Sequence, residues 1–290
     1  METGLDFLNY LNRDVSLKIM TCLDHPSDIV RAASVSHNWL RFAIDNRLAK
    51  NLCLRMFPQL SRVDRVVEDY CIARKRQVEA GSDNMEWETL MEEHRVYAFL
   101  ARCCMFSAES EPCISEAIKA SSTHLNPLEG IENTLEEFGG VPRRRSYWSS
   151  EGQKNPAVPE TLTYKLVADW CVITEIGIRP FQANFQLGLP IYSAKSVRFR
   201  MGHSLGDDYV WTYTSDEFPM VQEDRLQSFM LPEVLCIGGI LQIELRGRVQ
   251  APPPPQGDGL FYICVDHVQV VGRRLSPFGI EIREDSETFV

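Results

Sequence analysis

Val197-Arg198-Phe199-Arg200-Met201 alternates apolar and basic side chains, and the same period of two returns in Leu241-Gln242-Ile243-Glu244-Leu245-Arg246 and in Phe261-Tyr262-Ile263-Cys264-Val265-Asp266. Successive side chains of a strand point to opposite faces, so each segment reads as a strand with one face in a core and one toward water. Residues 209–214 and 171–178 are rich in aromatic and β-branched side chains and read as further strands. Turn pairs such as Leu189-Pro190 and Gly238-Gly239 separate these segments, with no long helical pattern between them. Strands without crossover helices predict an antiparallel sandwich rather than an α/β sheet, over residues 146–275. The prolines at 252–255 cannot donate ladder hydrogen bonds and read as a stiff loop between two strands. Trp148, Trp170 and Trp211 are each weighed as core packing against ligand contact, with core favoured.

The first part of the chain keeps a helical period instead. Val15, Ile19 and Cys22 share a helix face with Leu23 beside them, and Asn12 or Asp14 is placed to cap the start. Pro26 interrupts, and Ser27 or Asp28 is expected to cap a second helix carrying Ile29, Ala32 and Ala33. A third begins near Ser36 and holds Trp39, Leu40 and Ala43. Further helices are expected over 62–79 and 85–106, split by the loop Gly81-Ser82-Asp83-Asn84. Residues 107–145 are polar, contain a short helical pattern at 115–120 and end in Gly139-Gly140-Val141-Pro142, the profile of an irregular connector. The fold class is therefore an α+β multidomain chain. It divides into a helical element at 1–60, a helical segment at 61–122, a linker at 123–145, the sandwich at 146–275 and a tail at 276–290.

The formal net charge is −10, from 40 acidic and 30 basic side chains, which disfavours binding nucleic acid or anionic lipid through bulk electrostatics. No run is apolar for the length a bilayer needs, and the start Met1-Glu2-Thr3-Gly4-Leu5-Asp6 lacks the features of a signal peptide. Nine scattered cysteines and no Asn-x-Ser/Thr acceptor predict a reducing location, nucleus or cytoplasm. Arg143-Arg144-Arg145 is too short to decide between the two.

The helical start resembles the F-box family. Leu11-Asn12-Arg13-Asp14-Val15, then Ile19 to Leu23, then Val35-Ser36-His37-Asn38-Trp39, and finally Leu52-Cys53-Leu54-Arg55-Met56-Phe57-Pro58 carry the likeness. Asn12 stands where the family has proline, the turn 24–28 is about one residue longer, and Ala49 replaces a common tryptophan. Asn12 can cap in place of the proline, whereas the missing indole predicts a weaker aromatic anchor. The resemblance implies a three-helix element docking on a Skp-type adaptor and, through it, a cullin. Leu11, Val15, Ile19, Leu23, Ile29, Val35, Ser36 and Trp39 are the implied adaptor-binding residues or the packing beneath them. The alternative from spacing alone is that they form the core of an ordinary helical bundle.

The strand-rich half is similar to the galactose-binding-like jelly roll of discoidin and Doc domains, on Tyr147-Trp148-Ser149-Ser150, residues 172–180 and the closing strand 261–272. Tyr147-Trp148-Ser149-Ser150 followed by Glu160-Thr161-Leu162 also resembles plant F-box proteins. In such folds loops at one end hold the ligand. The function implied is a non-catalytic adaptor of a Skp–cullin–F-box ubiquitin ligase, the sandwich presenting an unidentified target. The competing function is a lectin-like glycan- or peptide-binding protein with no ligase association.

Other chemistry finds little support. Gly202-His203-Ser204-Leu205-Gly206 matches the G-x-S-x-G elbow of serine hydrolases, but a strand pattern follows where the elbow needs a helix, so a glycine-bounded turn is the better reading. Cys103-Cys104 is adjacent, no Cys-x-x-Cys exists and the six histidines lie far apart, so no metal site is expected. No glycine-rich phosphate loop is present and no cofactor is expected.

Overall fold

A computed structural model describes residues 6–63, 65–68, 85–105, 110–125, 127–136, 147–254, 257–275 and 278–281. The chain divides into two compact units, Met1–Ser107 with Pro277–Val290, and Ala108–Ser276.

The first unit carries α1 (Phe7–Tyr10), α2 (Arg13–Met20), α3 (Pro26–Ala33), α4 (His37–Asp45), α5 (Leu48–Met56) and α6 (Met85–Met105). Asn12 caps α2, its side chain accepting from Asp14 N at 3.0 Å. The cap of α3 is His25 rather than Ser27 or Asp28, because Pro26 takes the first helical position, where its missing N–H is not needed. Val96, Tyr97, Leu100, Ala101 and Cys104 form the buried stripe of α6, at helical spacing. This helix packs on α5, where the Lys50 ammonium donates to Glu93 at 2.7 Å and the Cys53 thiol to the Tyr97 carbonyl at 3.2 Å.

Two expectations fail here. Within the expected helix 62–79, a short strand, β1 (Arg65–Glu68), occupies part of the segment; residues 69–84, with the loop at 81–84, lie outside the described residues. The expected tail is not all tail. Its residues Phe278–Glu281 form β14, which pairs antiparallel with β1, Val66 facing Ile280. Neither four-residue segment has enough length to show a period.

The second unit is a sandwich of two antiparallel sheets. It contains β2 (Glu111–Pro112), β3 (Ile114–Ala120), β4 (Trp148–Ser149), β5 (Glu160–Leu166), β6 (Trp170–Gln182), β7 (Ile191–Tyr192), β8 (Ala194–Leu205), β9 (Asp208–Thr214), β10 (Phe218–Pro219), β11 (Gln227–Ile237), β12 (Ile240–Arg248) and β13 (Cys264–Arg274). One sheet runs β10-β8-β12-β5-β3 with β9 also on β8; the other runs β11-β6-β13-β2, with β4 on β13 and β7 on β6. Val197, Phe199, Met201, Leu241, Ile243 and Leu245 pack inward from the first sheet against Ile173, Ile176, Ile178, Val268 and Val270 of the second. The intervening charges of β8 and β12 neutralise one another on the outer face. Glu244 accepts from Arg200 at 3.1 Å and from Arg246 at 2.8 Å.

The sandwich starts earlier than expected. Residues 115–120 are strand β3, not helix, so the segment 61–122 is not uniformly helical and part of it belongs to the sandwich. Register shifts in its pairing with β5, between Ile114 and Glu116 and between Ala117 and Lys119, make inward positions recur every third residue and imitate a helical repeat. The expected linker is likewise not irregular throughout. Ile131–Leu135 is a 3₁₀ turn with Ile131 and Thr134 buried, and the Thr134 hydroxyl is bonded to that of Tyr164 at 2.8 Å. Residues 137–146, with Gly139 to Pro142 and the Arg143–145 cluster, lie outside the described residues. Trp148 and Trp170 are buried in the sandwich, and Trp211 is half-buried, stacked on Tyr209.

Arg248 at the end of β12 is fully buried and ion-paired with buried Glu160 of β5. Its guanidinium also donates to Ser150 Oγ at 2.6 Å and to the carbonyls of Glu151 at 2.9 Å, Val158 at 3.3 Å and Phe261 at 3.4 Å. Replacing Arg248 by Met would strand a buried carboxylate, and is expected to lower the unfolding free energy of the sandwich by about 3–5 kcal/mol. Urea unfolding followed by tryptophan fluorescence tests this; a loss below about 1 kcal/mol, the size of an exposed pair, would contradict it.

Candidate functional sites

In the first unit, Leu11, Val15 and Ile19 recur every fourth residue along α2 and its start, hence on one face. They are 41%, 48% and 44% exposed, while Ser16 and Met20 form the buried side of the same helix. The bundle-core reading predicts buried side chains at these three positions, and the structure leaves them facing solvent. Val35, 62% exposed, stands in the turn between α3 and α4. The other implied residues have different roles. Ile29 is buried beneath, and Leu23 is half-buried in the wall of a cavity of about 330 Å³ shared with Met20, Ile29, Leu48 and Leu54. Ser36 caps α4, accepting from Trp39 N at 3.3 Å. Trp39 braces α1 through its Nε1 donation to Asp6 at 2.9 Å and an edge contact with Phe7. Arg55, from the trailing Leu-Cys-Leu-Arg element, donates to the carbonyls of Thr21 at 2.5 Å and Leu23 at 2.8 Å, satisfying the end of α2. Ala49 is buried on α5, the helix that receives α6, so its small side chain belongs to a packed interface rather than to an exposed anchor.

In the second unit, a cavity of about 310 Å³ opens where several loops meet. Its aromatic lining comprises Tyr147, Phe181, Phe185, Tyr192 and Tyr262, and its acidic groups are Glu129 and Asp258. Pro252 and Pro253 line it too, so the start of the proline run is a wall as well as a connector. Residues 121–125 are held in place by Ser122, whose carbonyl accepts from Trp148 Nε1 at 3.0 Å and whose hydroxyl accepts from Glu151 N at 3.0 Å. Gly152 backs Tyr262 so closely that a Cβ there would stand 2.6 Å from the phenol oxygen. Tyr147 stacks on Phe181 with centroids 3.7 Å apart.

The loop between β6 and β7 rims the opening. Phe185, Leu187 and Leu189 are 68%, 81% and 51% exposed. Leu189 sits at φ 50°, a left-handed conformation that costs a branched side chain energy, so hydrogen bonds hold it there. Leu189 N donates to the Gln186 carbonyl at 3.1 Å, and Ala183 N to that of Pro190 at 2.9 Å. Exposed apolar residues concentrated beside a cavity mark a contact surface. The sequence marks none of these lining residues for binding, and Tyr147 stands out only through family likeness, because no periodic signal marks loops that converge from distant segments.

The phenols and carboxylates of this cavity are paired. Tyr147 donates to Glu129 at 2.9 Å, Tyr192 to Gln186 at 2.6 Å and Tyr262 to Asp258. Burial pushes Tyr192 up to about 12. Burial first, and then the Asp258 carboxylate, raise Tyr262 well above the ordinary phenol range. Burial also pushes Asp258 up, but donations from the Tyr262 hydroxyl and Leu260 N outweigh it and hold the carboxyl below its usual range.

The Gly202 to Gly206 sequence forms the β8–β9 hairpin, with Gly206 at φ 60° and the Ser204 hydroxyl donating to the Gly206 carbonyl at 3.1 Å. Gly202 is required because a Cβ there would meet the Val210 carbonyl oxygen at 1.9 Å. Among the described residues no group of three or more His, Cys, Asp or Glu is arranged to hold a metal ion.

Residues 13–55 match the F-box-like family model. The chain is 50% identical to an F-box protein of Arabidopsis thaliana across 98% of this chain and 81% of that protein. Solved structures similar to the strand-rich half include the family 32 CBM from C. perfringens NanJ in complex with galactose, at TM-score 0.37 and 13% identity over 55% of this chain and 98% of that one. Another is the C-terminal domain of a chitobiase from Bacteroides fragilis, at TM-score 0.36 and 13% identity over 55% of this chain and 94% of that one.

Asp258→Asn removes the carboxylate that, after burial, does most to raise Tyr262. The Tyr262 phenol is then expected to ionise at lower pH than in the wild type, still above the ordinary range because burial remains. Alkaline absorbance titration of both proteins measures this, and superimposable curves would refute the pairing.

Proposed function

This chain belongs to the F-box protein family, and from that premise we propose that it is the substrate-recognition subunit of a Skp–cullin–F-box ubiquitin ligase. The observation that carries the reading is the exposed stripe of Val15 and Ile19, within the residues matched as F-box-like, continued by Leu11 just before them. Apolar side chains held at fixed spacing and left out of their own core are stabilised by burial in a partner's groove. The Skp-type adaptor is the proposed partner of that stripe, and the cullin joins through the adaptor.

F-box proteins are in general adaptors that do no covalent chemistry. In this reading the contribution is effective concentration: a target held on the sandwich keeps its lysines within reach of a charged conjugating enzyme for as long as it stays bound. The loop-lined cavity and its apolar rim are the proposed target-reading end. Nucleus or cytoplasm is the proposed location, supported by cysteines that are odd in number and scattered along the chain.

Co-purification with a Skp-type adaptor tests the reading. Val15→Asp/Ile19→Asp places charges on the exposed face of α2, so helicity by circular dichroism is expected to be unchanged while adaptor capture falls at least about tenfold. Equal capture by wild type and double variant would sink the proposal.

A further inference from the structure

The cavity of the sandwich has a chemical bias. Its three tyrosine hydroxyls are already donated, to Glu129, Gln186 and Asp258. The phenols therefore offer an incoming group acceptor lone pairs rather than protons, and the Gln186 amide and the His124 ring are the remaining side-chain donors of the lining outside the serine and cysteine. Two carboxylates line the space, and among the described lining residues there is no lysine or arginine; His124 is the one side chain there that can carry positive charge. Five aromatic rings complete the wall. Aromatic faces and carboxylates together attract cations, and both repel phosphate or an acidic side chain. A neutral sugar presents hydroxyls that need donors as well as acceptors, and the phenols here are occupied.

Size and surroundings narrow the choice further. About 310 Å³ suits one long side chain rather than a folded surface. The β6–β7 loop, which lines the cavity through Phe185 and Gln186, also exposes Leu187 and Leu189, which would cover apolar residues beside that chain.

We propose that this cavity binds a cationic side chain of the target protein, lysine, a methylated lysine or arginine, carried on an extended segment with apolar neighbours. The inference rests on the reading of the sandwich as the target-presenting half and names what that half selects. The exposed Asp258 carboxylate supplies the charge, the rings enclose the alkyl stem and the cationic head, and the β6–β7 loop grips the flanks.

The test uses the full chain and five labelled peptides, Ac-Ala-Leu-X-Leu-Ala-NH₂, with X as lysine, trimethyl-lysine, arginine, norleucine or glutamate, titrated by fluorescence anisotropy. At least one cationic peptide is expected to bind about tenfold more tightly than the norleucine peptide, and the glutamate peptide more weakly than either. Asp258→Asn, at an exposed position, is expected to shrink the cationic preference severalfold without changing norleucine binding. Phe185→Ala, equally exposed, is expected to weaken every peptide. Affinity for the norleucine peptide equal to that for all three cationic peptides would overturn the inference, as would competition by galactose at concentrations where the peptides bind. Absence of all peptide binding while adaptor capture persists overturns this inference alone and leaves the ligase reading standing. Charge-selective binding by a chain that captures no adaptor supports the cavity assignment and sinks the ligase reading.

Discussion

Arg248 and Glu160 meet away from water, and the sandwich is organised around that meeting. Removing a guanidinium and a carboxylate from solvent costs several kcal/mol for each ion, a cost offset only when geometry is good and the remaining donors are used. Here the guanidinium reaches a carboxylate, a hydroxyl and three carbonyls, which draws in the segment 150–158, the end of β12, the start of β5 and the approach to β13. Ser150 is shared further, since its hydroxyl oxygen also accepts from Ile263 N at 3.0 Å. Because Gly152 and Tyr262 lie within the same clamped region, the position of a cavity wall depends on a charge pair outside the cavity.

The two units solve opposite problems. The sandwich buries the apolar faces between its sheets and gathers three exposed apolar residues, Phe185, Leu187 and Leu189, in one loop. The helical unit spends one side of α2 on its own packing, through Met20 and Ser16, and leaves the other apolar side outward. In both, the apolar surface left in water is held by rigid neighbours: capped ends and Arg55 for α2, a hydrogen-bonded hairpin for the loop. Rigid presentation keeps the entropy lost on binding small.

How much of this is legible in the residues depends on the range of the forces involved. Strands β8 and β12 show plainly, because a half-buried strand writes its burial into alternate positions. The cap at Asn12 is legible for the same reason, being a bond across two residues. β3 is misread, since its bulges produce a three-residue repeat that resembles a helix. Periodicity finds the stripe at Leu11, Val15 and Ile19 but is silent on whether it faces a core or water; that is decided by which side α3 to α6 leave uncovered. Alternation also assigns Arg248 to water with Glu244 and Arg246, and only the covering segment 150–158 reverses it. The cavity is the least legible part, assembled from loops that share no local pattern.

The pairing of β14 with β1 makes the helical unit discontinuous in the chain, closed by residues that follow the whole sandwich. During synthesis the edge of β1 therefore waits, unpaired, until translation has passed residue 281, long after the helices beside it have emerged. A chain terminated just past β13 would keep every strand of the sandwich and lose the partner of β1. The damage from a late truncation would thus fall on the half made first.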